Sequence, residues 1–291
     1  MSWSPLYGIG RYLLAAASLL ITTLTFTSSF AQSPQQRNVC FGREAAAPAA
    51  QVAACTAIIE AGRDQPSIIS EAYVARGNFS RAKEEFDQAI DDFTQAIQLN
   101  GRNANAYYNR GLSRVAKGDV EAALADYDQA IQNDPKQGAF YKSRAGAYFS
   151  KRDYAHAIGD LNQALRINSR DPVALYNRGV AYRANGESDR AVPDFDQVIK
   201  INPGNSDAAS AYYNRGLSYR DLRDYERAIQ DFAQAIRLDP KNSAIYTDRG
   251  VANAAKGDFD KAIEDFDAAI KVDPKNALLL NNRGMAYRNK G

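Results

Sequence analysis

Residues 107–135 read YYNRGLSRVAKGDVEAALADYDQAIQNDP, and this stretch decides the architecture. Tyr107, Gly111 and Arg114 fall at helical spacing, as do Ala123, Tyr127 and Ala130, so the segment holds two amphipathic helices. Gly118 ends the first helix and Asp119 is placed to cap the second, a junction that Gly257-Asp258 repeats further along. Asp134-Pro135 closes the second helix, because the residue before a proline is pushed out of the α region. Gly111 and Ala123 are small enough for close approach of the two helices, and Tyr127 is expected to fill the space toward the neighbouring unit.

The same columns run through most of the chain. Arg-Gly recurs at 76–77, 110–111, 178–179, 215–216, 249–250 and 283–284, with Arg144-Ala145 in the remaining place, at spacings of 34 residues and once 37. In register with it stand a small column (Ala89, Ala123, Ala157, Ala191, Ala228, Ala262) and a large apolar one (Phe93, Tyr127, Leu161, Phe195, Phe232, Phe266). A second small column follows at Ala96, Ala130, Ala164, Val198, Ala235 and Ala269, and Asn202-Pro203, Asp239-Pro240 and Asp273-Pro274 again end units. An aspartate precedes every large apolar residue: Asp92, Asp126, Asp160, Asp194, Asp231 and Asp265. Two readings of the arginine column stand: an Arg–Asp pair bridging the helices of each unit, or an exposed stem lying over apolar surface.

This order of small, aromatic, small and proline positions resembles the tetratricopeptide repeat. The resemblance covers 70–291, as units 70–103, 104–137, 138–171, 172–208, 209–242 and 243–276 with a closing helix at 277–291. It implies an all-α fold, a right-handed superhelical solenoid of antiparallel helix pairs whose function is to present a binding surface. Arg stands where leucine is usual before Gly, Ala145 replaces one Gly, and Gly101 and Ser169 replace proline. In the fourth unit Pro193 falls inside the second helix, where it removes the bond to Asp189, and an insertion follows near Asn205 to Ala208. A change of direction is expected between 190 and 209. The helix at 277–291 either supplies a polar terminal surface or is followed by further repeats or an effector domain.

Ahead of the repeats, residues 1–31 carry Arg11 as their only charge, then the apolar run Tyr12 to Phe26 and the small-residue site Ser29-Phe30-Ala31. This reads as a secretory signal peptide. The rival is an uncleaved membrane anchor, against which the Ser and Thr content counts. Export, and a periplasmic location, make a disulfide between Cys40 and Cys55 the expected state, with two buried free thiols as the alternative. Residues 32–69 form a capping segment with one helix from about Ala49 to Ala61, docked on the first hairpin. With its Cys-Thr-Ala-Ile-Ile run this segment resembles the leader region of exported α-proteobacterial repeat proteins.

Chemistry is sparse. Lys and Arg number 36 against 34 Asp and Glu, a net charge of +2, so a surface built to neutralise phosphates is not indicated and nucleic acid is a poor partner. His156, the single histidine, reads as a surface or interhelical residue rather than a base. No nucleophile motif, phosphate loop or metal signature occurs, so neither catalysis, cofactor nor metal is expected. Asp126/Asp128, Asp194/Asp196 and Asp265/Asp267 tempt a metal reading, but residues two apart on a helix point to nearly opposite sides.

What remains is the face beside the packing face. The tetratricopeptide arrangement carried over by column implies a concave groove lined by Tyr108, Asn109, Leu112, Tyr176, Asn177, Val180, Arg183, Tyr213, Asn214, Leu217 and Arg220. The competing reading makes these interhelical packing residues. Groups that would match a chaperone-carboxylate clamp fall at Val74, Asn78, Asn109, Ala139 and Ser143, and only the asparagines agree, so that clamp is absent. The expected function is an exported scaffold for a protein or peptide, or else the adaptor portion of a larger enzyme or envelope assembly.

Overall fold

A computed structural model describes residues 34–291. The leader, and with it the signal-peptide reading, lies outside the described residues. Among the described residues there are fifteen α-helices and no strand. They are α1 Pro34–Cys40, α2 Pro48–Ala61, α3 Pro66–Ala82, α4 Phe86–Leu99, α5 Ala104–Lys117, α6 Val120–Asn133, α7 Gly138–Ser150 and α8 Tyr154–Ile167. There follow α9 Pro172–Ala184, α10 Ser188–Ile201, α11 Ser206–Asp221, α12 Tyr225–Leu238, α13 Ser243–Ala255, α14 Phe259–Val272 and α15 Ala277–Lys290. The chain parts into two compact units between Asn109 and Arg110, within α5.

In the first unit, α3 and α4 form a hairpin and α2 packs on α3. Cys55 and Ile58 of α2 are buried with Cys40 and with Ala72 of α3. Cys40 and Cys55 are joined in a disulfide, their Cα atoms 4.8 Å apart. Closing that 15-residue separation stabilises the fold by about 3 kcal/mol in the chain-entropy account. The short helix α1 has no counterpart in the sequence reading.

In the second unit each hairpin closes by the same contact. A Cβ built at Gly179, Gly216 or Gly250 would lie 2.8 Å from the ring of Phe195, Phe232 or Phe266 in the second helix of the same unit, and Gly111 stands likewise to Tyr127 at 2.7 Å. The aromatic residue therefore presses on its own hairpin's glycine, which corrects the expectation that Tyr127 reaches for the neighbouring unit. The one unit with Ala145 instead of glycine has Leu161 instead of an aromatic ring, and both are fully buried. An added methyl is matched by a narrower partner.

Six of the seven arginines of the column, all but Arg283, fork onto the aspartate of their own hairpin. Nη2 lies 2.5 to 2.7 Å from Asp92, Asp126, Asp160, Asp194, Asp231 and Asp265 in turn, with Nε as the second donor. These carboxylates are buried, so the pairing is the first of the two readings. The remaining Nη1 reaches back to the preceding element: Arg76 to Thr56, Arg144 to Asp128, Arg178 to Asn162, Arg215 to Asp196 and Arg283 to Asp267. The second aspartate of each tempting pair is thus a link between units.

The turns follow a rule that only half shows in the sequence. Gly118, Gly186 and Gly257 have φ between 83° and 87°, and the equivalent Glu84, Arg152 and Arg223 have φ of 59° to 63°. Asp119, Asp153, Asp224 and Asp258 then cap the next helix, each accepting from a backbone N–H three residues on. Pro193 does not end α10, which runs on to Ile201. One backbone bond is lost there, while Ala191, Phe195 and Val198 anchor the helix on either side of it. The insertion is absorbed in α11, which has 16 residues against 13 in α9 and α13.

Leu161→Phe should lower stability by about 1–3 kcal/mol through overpacking against the Ala145 methyl. The double variant Ala145→Gly, Leu161→Phe should recover most of that loss, read as urea midpoints. Replacing Arg223 by Gly should raise stability by about 1 kcal/mol, read again from urea midpoints, the cost of a left-handed residue that bears a Cβ.

Candidate functional site

The first helices of successive hairpins touch, α11 lying against both α9 and α13. Along this wall the side chains singled out by the groove reading meet one another. Asn214 donates from Nδ2 to the Tyr176 hydroxyl at 3.0 Å, and Tyr213 donates to Asp248 at 2.7 Å. Arg220 pairs with the same Asp248, and Arg183 lies 3.5 Å from Asp221. The rings of Tyr176 and Tyr213 rest against Phe195 and Phe232, centroids 5.9 and 6.0 Å apart, so the hairpin core fixes their orientation.

The wall divides its residues between packing and display. Asn177, Asn214 and Leu217 are buried and shape it from behind. Tyr176, Val180, Tyr213 and Arg220 are half-buried, as is Leu112. Arg183 has a side chain only 7% exposed, and its Nε is buried without an acceptor among the described residues. Such an orphan donor costs about 1–3 kcal/mol unless water or a ligand serves it. Tyr108 and Asn109 belong to the first unit, where Asn109 donates to the carbonyl of Asn105.

Two carboxylates that sequence reasoning passed over, Asp221 and Asp248, set the wall's electrostatics. Asp248 stands in the column occupied by Asn109, Asn177 and Asn214, immediately before the arginine, and that exchange of amide for carboxylate was the available signal. Burial first, and then the charge of Asp248, push the Tyr213 phenol well above its ordinary 10.0. Burial likewise raises Tyr176.

The first unit holds a hollow of its own, a cleft of about 430 Å³ between the Phe41–Gly42–Arg43 loop and α3. Asn78 lines it, and its Oδ1 is buried with no donor among the described residues. His156 is 69% exposed, hydrogen-bonded to Asp153 and stacked on Tyr148. No cluster of three or more metal-ligating side chains occurs among the described residues. No helix among them is long and apolar enough to cross a membrane.

The tetratricopeptide repeat profile matches six overlapping stretches, 69–138, 108–172, 143–206, 176–243, 213–277 and 247–291. The chain belongs to the tetratricopeptide repeat family. Among solved structures, it is similar to YrrB, described as a tetratricopeptide repeat protein with an unusual peptide-binding site, at 26% identity and a TM-score of 0.57, covering 66% of this chain and 97% of that one. It is similar also to MamA at 25% identity and a TM-score of 0.56, over 61% of this chain and 96% of that one. PilF of Pseudomonas aeruginosa shares the fold at 16% identity with a TM-score of 0.61, over 77% of this chain and 99% of that one. No curated protein matches the sequence. Tetratricopeptide repeat proteins are protein-interaction scaffolds, and the fold suggests protein or peptide partners.

The Tyr213 environment has a measurable consequence. Unfolded, this phenol loses its proton near pH 10, whereas the folded chain retains it, so the native state binds more protons above that pH and stability falls as pH rises. Denaturant midpoints taken between about pH 9 and pH 11 should fall further for the native sequence than for Tyr213→Phe.

Proposed function

We propose that this repeat domain binds a segment of another protein along the wall of α9, α11 and α13, and that it does so in an exported, oxidising compartment. The observation that carries the reading is the row of half-buried Tyr176, Tyr213 and Arg220 held in fixed orientation by Asn214 and Asp248. A bound segment would meet the half-buried Tyr176, Tyr213 and Arg220, whose aromatic edges and polar ends reach the wall surface. The described peptide-binding of YrrB, a relative of similar build, supports the same use of the fold. The apolar leader and the pairing of both cysteines support export. The proposed activity is recognition, without a chemical step.

The wall also has a definite charge pattern. Arg183 and Arg220 are matched by Asp221 and Asp248, so the surface is neutral in sum but alternates in sign. A partner segment with mixed charge and a polar backbone fits this better than an acidic tail.

The test is affinity purification from envelope extract with the native sequence and a Tyr176→Phe, Arg183→Lys, Tyr213→Phe variant. These substitutions keep the volume and charge of the wall while removing the hydroxyls and the Nε donor. A partner recovered at least about tenfold less with the variant, at equal helicity, supports the reading, that factor being the loss of one good polar contact. Equal recovery by both places recognition elsewhere.

A further inference from the structure

Tyr176 and Tyr213 occupy the same position in successive units, two residues before Arg178 and Arg215 of the arginine column. Each hydroxyl meets the residue that stands just before the arginine of the following unit, Asn214 for Tyr176 and Asp248 for Tyr213. An amide and a carboxylate have nearly the same shape in that place. They differ in which side of the contact supplies the hydrogen.

At Asn214 a second contact fixes the direction of the bond. Its Nδ2 lies 3.0 Å from the carbonyl oxygen of Ser210, one turn back in α11, and 3.0 Å from the Tyr176 hydroxyl. A backbone carbonyl only accepts, so this end of the amide is the NH2 group and its second hydrogen goes to the tyrosine oxygen. Asn109 makes the same bond to the carbonyl of Asn105 at 2.8 Å, so an asparagine in this column turns its NH2 the same way in both places. The Tyr176 proton is left with no acceptor among the described residues. At Asp248 the direction is reversed. Both carboxylate oxygens accept, one from Tyr213 at 2.7 Å and the other from Arg220. The Tyr213 proton is thereby engaged, and its oxygen has no donor among the described residues.

We propose, resting on the reading of this wall as a recognition surface, that Asp248 sets the polarity with which it reads a peptide backbone: the Tyr176 hydroxyl donates to a carbonyl of the bound segment, and the Tyr213 oxygen accepts an uncharged N–H. Two successive phenols, one a donor and the other an acceptor, match an extended backbone, which carries a carbonyl and an N–H on each residue. They match neither a pair of carboxylates nor a pair of cations. The N–H is uncharged because the Arg220 guanidinium shares Asp248 and would repel an ammonium beside it. With asparagine at 248, as at 109, 177 and 214, both hydroxyls become donors. The N–H of the segment then meets a proton where the native site offers a lone pair.

The probe is a peptide selected on the whole chain from a random phage-displayed library, then synthesised as a labelled series in which each backbone amide in turn becomes an ester. The ester removes one N–H and keeps the shape of the chain. With the native protein, fluorescence anisotropy should show one ester position that weakens binding at least about threefold, the loss of one hydrogen bond. With Asp248→Asn, that ester should bind as well as the parent amide or better, while the effect of every other ester is unchanged. If the same ester weakens binding to an Asp248→Asn protein of native helicity as much as before, the proposal is overturned and the wall remains a binding surface. A native series in which no ester weakens binding has the same meaning. A library that yields no peptide, or peptides bound equally by the Tyr176→Phe, Arg183→Lys, Tyr213→Phe variant, overturns the reading of the wall and the proposal with it.

Discussion

A six-membered ring lying against a glycine is the contact on which the hairpins depend. At five positions a methyl group in place of the glycine hydrogen would stand 2.7 to 2.8 Å from the ring of the facing helix, closer than packed atoms allow. The axial separation of the two helices is set by that contact. The caps, the turns and the arginine fork all assume that separation. The substitution pattern agrees: where alanine replaces glycine at 145, leucine replaces the ring at 161. Residue choices in the two columns are coupled by volume.

The arginine forks answer a different need. Burying an aspartate beside the ring is costly, and a paired, hydrogen-bonded ion pair in such a place is at best a modest gain over an apolar pair of the same shape. Its value lies in register. A fork with Nε and Nη2 on one carboxylate and Nη1 on the preceding helix can be satisfied in one relative position of three helices only. The two aspartates of Asp126/Asp128 or Asp194/Asp196 make this possible because they point to opposite sides of one helix. One closes its own hairpin and the other receives the next unit's arginine.

Much of this was legible in the sequence, because a period of 34 residues exposes every column that packing repeats. Helix pairs and aspartate caps follow from residue type and spacing, whereas the Arg–Asp pair and the disulfide were each one of two readings that the sequence left open. What stayed hidden was conformation without a residue signature. Glu84, Arg152 and Arg223 take the left-handed turn that glycine marks elsewhere. The helix α1 is too short for a periodic pattern to show. The direction of Tyr127 was misjudged because spacing tells which face a side chain occupies and not which neighbour it meets. For the wall, the columns found Tyr176, Arg183, Tyr213 and Arg220, but Asp221 and Asp248 emerged only from who pairs with whom.

The columns consumed by packing are the same in every unit, so they distinguish this repeat domain from another only weakly. Recognition has to reside where packing leaves a choice. Before the arginine the chain places Asn109, Ser143, Asn177, Asn214, Asp248 and Asn282, and the single carboxylate in that series draws Tyr213 and Arg220 together. A one-atom difference between amide and carboxylate thereby holds a neutral phenol and a guanidinium on one acceptor, at a position the hairpin core does not constrain.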